Sequence, residues 1–125
     1  MFDIIRYLVG AGVRIGVAQK PDLIACDGGS TDPGPYYLGA GKPFTTRSAV
    51  KRDLTLLLEA ALELGIPLII GTAGGSGGEP HLAREREILL EIAKEKKLSF
   101  KAATINSEFD RGFLADQLEK GNMKL

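Results

Sequence analysis

Apolar residues recur along the chain in short blocks divided by glycine- and proline-rich turns, and the spacing within each block predicts an element. Residues 2–9 (Phe-Asp-Ile-Ile-Arg-Tyr-Leu-Val) read as a first strand ending at Gly10. Residues 13–19 alternate at Val13, Ile15 and Val17 but are short, and are read as a helix before Lys20-Pro21. Residues 22–26 form an apolar run between a proline and Asp27-Gly28-Gly29, which is the pattern of a buried strand. A long loop follows to about Thr45, with Asp32-Pro33-Gly34-Pro35 as its turn.

Thr45 or Thr46 can cap the next helix, in which Val50, Leu54, Leu57, Leu58 and Ala61 share one face. Gly65 stops that helix, and Leu68-Ile69-Ile70 reads as a second buried strand. After the glycine-rich stretch 71–78, a helix is expected from Pro80 to Lys97, with Ile88, Leu89, Ile92 and Ala93 turned inward. Phe100 to Ile105 is expected to be a further strand. A last helix would carry Phe109, Phe113, Leu114 and Leu118, with Asn106 or Ser107 able to cap it.

Strands alternating with helices predict an α/β fold: a mostly parallel, Rossmann-like layered sheet of about four strands in a single domain, 1–125. The pattern ends without a natural terminus; four parallel strands could stand alone, and a longer parent, of which this is the N-terminal part, is at least as expected. Right-handed crossovers would bring every strand-to-helix loop to one edge of the sheet. The functional reading depends on that convergence.

The 125 residues suffice for one core, and 44% hydrophobic with 26% charged residues is ordinary for a globular domain. Sixteen basic and sixteen acidic residues cancel, so no net field favours nucleic acid or an anionic membrane. No basic tract is interleaved with aromatics, and no apolar run approaches a membrane span. A single cysteine, Cys26, excludes an internal disulfide and fits a reducing cytoplasm. The 16 glycines change the picture more, because they cluster at 10–16, 28–41 and 71–78, as shaped loops would.

Four constellations carry candidate chemistry. Asp27 closes a strand, and with Asp32, Ser30 and Thr31 it could orient a ligand hydroxyl or hold Mg²⁺ through oxygens; an Asx turn is the structural alternative. Arg47 and Lys51 put cations in a helix's first turns against the dipole, which an anion there would offset. Thr72, Gly74 and Gly75 belong to a glycine turn able to aim N–H groups at an anion. That turn lacks the Lys-Ser/Thr of the P-loop and the spacing of the dinucleotide fingerprint, so ATP and NAD by their standard motifs are disfavoured. His81, the only histidine, stands at a helix start, where it could act as an acid or base. Asn106 and Glu108 could complete the pocket. No His/Cys cluster suits zinc, and Cys26 has no adjacent base to activate it.

Residues 26–39 (Cys-Asp-Gly-Gly-Ser-Thr-Asp-Pro-Gly-Pro-Tyr-Tyr-Leu-Gly), with Thr45 to Asp53 following, resemble the N-terminal signature of the acyclic terpene utilisation (AtuA-type) family. Gly71-Thr72-Ala73-Gly74-Gly75 with His81 is similar to that family's second glycine loop, and the resemblance runs from about Lys20 to Gly121. It implies a place in bacterial acyclic terpenoid degradation, or in similar acyl-CoA and organic-acid pathways. It also implies a parent several times longer, and it assigns no catalytic residues.

Three readings follow. One is an enzyme, or part of one, acting on a small carboxylate or acyl-CoA-like metabolite, with Asp27, Asp32 and His81 doing polar or proton-transfer work. Another is a non-catalytic binding or assembly domain that meets a C-terminal remainder or another subunit. The third is a phosphate- or nucleotide-binding domain without the standard motifs.

Overall fold

The structure is a computed structural model that describes the backbone of residues 2–29 and 35–124, and side chains from Gly10 onward in those ranges. The elements in chain order are α1 (Phe2–Ala18), β1 (Ile24–Asp27), α2 (Tyr36–Ala40), α3 (Arg47–Leu64), β2 (Leu68–Gly71), α4 (Glu79–Lys96) and α5 (Arg111–Glu119). A single 3-10 turn, Ala73–Gly75, lies between β2 and α4. Among the described residues the only sheet has two strands, β1 and β2, which run parallel with Ile24 opposite Leu68 and Asp27 opposite Gly71. The layered four-stranded α/β expectation, Rossmann-like, is therefore corrected to a helix-dominated chain around one parallel strand pair.

Two expected strands account for the difference. Residues 2–9 are helical, the first half of α1. Ile4, Ile5, Leu8 and Val9 recur at steps of one, three and one, and the pattern continues through Val13 and Val17. That is a helical stripe rather than an alternation, and it forms despite Gly10, Gly12 and Gly16, each costing about 1 kcal/mol against alanine. Residues 100–105 are not a strand. Leu98 and Phe100 pack on the core, but a cavity of about 840 Å³, lined by Leu68, Ile70, Leu89, Leu98 and Phe100 among others, adjoins β2 there. Beyond Phe100 every residue to Asp110 is exposed, Ile105 at 87%.

The other elements follow their local chemistry. Thr46 caps α3, its hydroxyl accepting from Ala49 N at 3.3 Å, and Gly65 ends that helix as expected. Pro80 sits in the first turn of α4. The cap of α5 is Asp110, which accepts from Gly112 N at 2.8 Å and Phe113 N at 3.1 Å, in place of Asn106 or Ser107. Helix α2 forms inside the expected long loop.

The core is small. Leu54 and Leu58 of α3 meet Ile88 and Ile92 of α4, and Val50, Leu68, Ile70, Leu89, Leu98 and Phe100 pack around them. α1 packs on α3 from another side. Among the described residues no helix is long and apolar enough to cross a membrane. What this frame positions is the C-terminal edge of the strand pair and the start of α4.

Candidate functional site

Parallel pairing of β1 and β2 forces their following loops to leave the sheet together. Gly28 N donates to Gly71 O at 2.8 Å, extending the ladder by one step past Asp27. Asp27 then folds its carboxylate back onto Gly29 N at 2.9 Å, an Asx turn, and takes a second hydrogen bond from the Thr72 side chain. These two donors hold the Asp27 carboxyl below the usual carboxylate range, the Gly29 amide first and the Thr72 side chain second. Asp27 is thus an ionised acceptor at neutral pH, suited to orienting a hydroxyl or amine.

The loops approach too closely for a side chain at Gly29, where a Cβ would lie 2.7 Å from Thr72 Cβ. Thr72 itself has φ 47°, a left-handed conformation that costs a β-branched residue of order 1–3 kcal/mol.

The glycine loop leads from this pair to α4. Gly74, at φ 71°, lies against the backbone of His81, and its N–H donates to Glu85 Oε2 at 3.1 Å. Gly77 packs on Thr72, and Gly78 is the N-cap of α4 without a capping side chain. The missing cap is supplied from elsewhere in the chain. Glu108 Oε1 accepts from Glu79 N at 2.6 Å, and the Asn106 side-chain amide donates to the Glu79 carboxylate. Glu108 N in turn donates to Asn106 Oδ1 at 2.8 Å, which shapes the clip. The segments beginning at Asp27, Gly71 and Asn106 therefore meet along one loop, with Thr72 at one end and Gly78 at the other.

His81 is 1% exposed. Its Nε2 is 3.0 Å from Lys42 O, and since a carbonyl only accepts, Nε2 carries the proton. Nδ1 is buried with no hydrogen-bond partner.

Arg47 and Lys51 lie where α3 faces α4 and are held by carboxylates of α4. Arg47 pairs with Glu91 at 2.8 Å and Glu87 at 3.7 Å; Lys51 pairs with Glu91 at 2.7 Å and Glu95 at 2.8 Å. Hydrogen bonds from Lys51 and then Arg47 lower the Glu91 pKa, and those of Glu91 and Glu95 raise that of Lys51. The anion that offsets these cations is thus internal. None of the ion pairs among the described residues involves Asp27, Glu79, Glu85 or Glu108. Ser30, Thr31 and Asp32 lie outside the described residues, so the second carboxylate of the Mg²⁺ arrangement does too. Among the described residues no three of His, Cys, Asp and Glu gather as a metal ion would need.

Glu85 is the chemically distinctive residue that the sequence reading passes over. It is 5% exposed, and burial, the largest cause, raises its pKa against the lowering effect of Gly74 N and Arg84. The signal was there: His81, Glu85, Ile88 and Ile92 fall at steps of four, three and four, which puts an acid in the inward stripe of α4. Cys26, half-buried, has its thiol pushed up by burial and then by the charges of Glu85 and Asp27, so it stays protonated.

The Glu85 shift has a directional consequence. The folded chain holds this proton above the ordinary glutamate value of 4.5, whereas the unfolded chain releases it there. The folded state binds more protons between the two values, so stability falls as pH rises through that interval, and the penalty is complete above the folded value. Glu85→Gln should remove this part of the slope of Tm against pH, read by thermal melts from about pH 4 to about pH 8. An unchanged slope would place the titration elsewhere.

No protein-family model matches the chain, and neither a characterised protein nor a solved structure is similar to it.

Proposed function

We propose that the chain is a binding domain for a small anionic metabolite, a carboxylate in the first instance, held at the loops that follow β1 and β2 and at the start of α4. The observation that carries this reading is the junction of the two strand ends. Gly28 bonds Gly71, and Asp27 meets Thr72, at the carboxyl edge where parallel strands present ligand-binding loops. Backbone amides in this region already have carboxylate partners within the chain, at Gly29, Gly74 and Glu79. The same donors suit a ligand carboxylate.

Within an enzyme, Asp27 would orient a ligand hydroxyl, and His81 would exchange a proton through Nδ1. The resemblance of residues 26–39 and 71–75 to AtuA-type proteins favours acyclic terpenoid or organic-acid breakdown, with acyl-CoA-linked ligands included. A second reading, association with further chain or another subunit, draws on the exposed Ile105, Phe109 and Phe113 near α5, with the two phenyl rings stacked at 5.5 Å.

Thermal melts in the presence of acetate, glycolate, phosphate, coenzyme A, ATP or NAD test the reading. A small anion should raise Tm saturably, by an amount equivalent to about 2.7 kcal/mol at one hundred times its Kd. Asp27→Asn should weaken a hydroxyl-bearing ligand more than acetate. Absence of saturable stabilisation by every anion in the series would overturn the proposal, and a response to ATP or NAD alone would replace the carboxylate by a nucleotide.

A further inference from the structure

Glu108 occupies a position that a ligand carboxylate would take. It is held by Glu79 N at 2.6 Å, at the positive end of an 18-residue helix whose N-cap, Gly78, offers no side chain. The same spot is reached by a second, buried group. An ideal Cβ on Gly78 would stand 3.1 Å from Glu108 Oε1 and 3.3 Å from His81 Nδ1, with Leu38 Cδ1 at 3.1 Å closing the third side. His81 is 1% exposed, and its Nδ1 has no hydrogen-bond partner. A buried ring nitrogen without a partner is costly, and this one flanks the same Gly78 position as the Glu108 carboxylate.

The segment that carries Glu108 is lightly held. Residues 101–110 are exposed throughout. Among the described residues, their hydrogen bonds to the body of the protein are those of Glu108 and Asn106 with Glu79. Few buried contacts and few hydrogen bonds describe a segment that opens at low cost.

We infer that Glu108 is an internal competitor for the ligand site, and that the ligand it yields to is a small 2-hydroxycarboxylate. The ligand carboxylate takes the place of Glu108 on Glu79 N–H. With Nε2 of His81 engaged by Lys42 O, Nδ1 is the ring atom left without a partner, and it accepts a hydrogen bond from the hydroxyl next to the carboxylate. This rests on the proposed function above and adds to it the class of ligand and the group that must leave.

The test compares glycolate with acetate on the whole chain as wild type, Glu108→Ala and Glu108→Ala/His81→Gln, by calorimetric titration. Freed from its competitor, Glu108→Ala should bind glycolate roughly tenfold tighter than wild type, since apparent affinity scales with the open fraction. It should prefer glycolate to acetate. Glutamine at 81 can keep the bond to Lys42 O while lacking Nδ1, so the double variant should lose that preference. If the double variant does not fold, the glycolate-to-acetate ratio of Glu108→Ala decides alone, and a ratio near one overturns the role of His81. Equal glycolate affinity in wild type and Glu108→Ala overturns the competitor and leaves anion binding at the loops intact. If neither protein binds glycolate or acetate while wild type is stabilised by phosphate, the hydroxycarboxylate assignment falls and the broader anion reading survives. No binding of any of the three overturns the inference, and the proposed function falls with it when coenzyme A, ATP and NAD are also without effect.

Discussion

Gly74→Ala should destabilise the chain by roughly 3–5 kcal/mol, one of the largest effects of any single substitution, read as the loss of ΔG in urea unfolding. Two independent causes add. Position 74 has φ 71°, and a left-handed conformation costs an L-residue with a Cβ roughly 1–2 kcal/mol. The new methyl would also lie 2.6 Å from the carbonyl carbon of His81, a backbone atom fixed in the first turn of α4 that cannot swing aside. Relief requires the glycine loop to move off α4, which breaks the bond from Gly74 N to Glu85 and leaves a buried carboxylate without its donor. A loss below about 1 kcal/mol would mean that the loop and helix do not meet as described.

Ile88→Ala should cost about 3–4 kcal/mol by the same measurement. Ile88 is fully buried, between Leu54 and Leu58 of α3 and next to Ile92 on its own helix. Removing its side-chain carbons forfeits their burial and leaves a cavity. α3 and α4 are each 18 residues long and are braced across their faces by the Arg47, Lys51 and Glu91 ion pairs, so they can close little of the gap. A domain of this size has only about 5–15 kcal/mol in total, so the variant should melt far below wild type. Leu90→Ala, at an exposed position two residues on, is the control and should change little.

These two positions differ in how far they could be read in advance. Ile88 belongs to the inward stripe that periodicity marks, and its burial follows from the helical repeat alone. Glycine at 74 was legible as part of a shaped loop. Its partner was not, because contact with the His81 carbonyl depends on how the turn folds onto the helix seven residues later. Thr46 as cap, Gly65 as stop and Pro80 in a first turn were all legible, because each acts within one turn of its own position. The short helix α2 was hidden by the turn residues around it.

The site shows the same division. Asp27 and Thr72 were candidates from their places at strand ends, and parallel pairing brings them together. Arg47 and Lys51 stand in the sequence as cations opposing a helix dipole. Their pattern points to a ligand anion, whereas the fold pairs them with Glu87, Glu91 and Glu95 of α4. Glu85 stands in the inward stripe of α4 at a helical step, flanked by Arg84 and Arg86.

Residue spacing alone determined the two parallel strands, the two long helices that make the core, and the clustering of glycine at the strand ends. Those features depend on interactions within a turn or on burial of a repeating face, and sequence encodes both directly. Tertiary structure decided the number of strands and the partners of the charged groups. A strand exists only where another edge lies within hydrogen-bonding distance, which residues 100–105 lack, and residues 2–9 are the first half of a helix instead. Likewise a carboxylate such as Glu108 or Glu91 acquires its role from whichever amide or cation the fold sets beside it, at separations in the chain that no local pattern records.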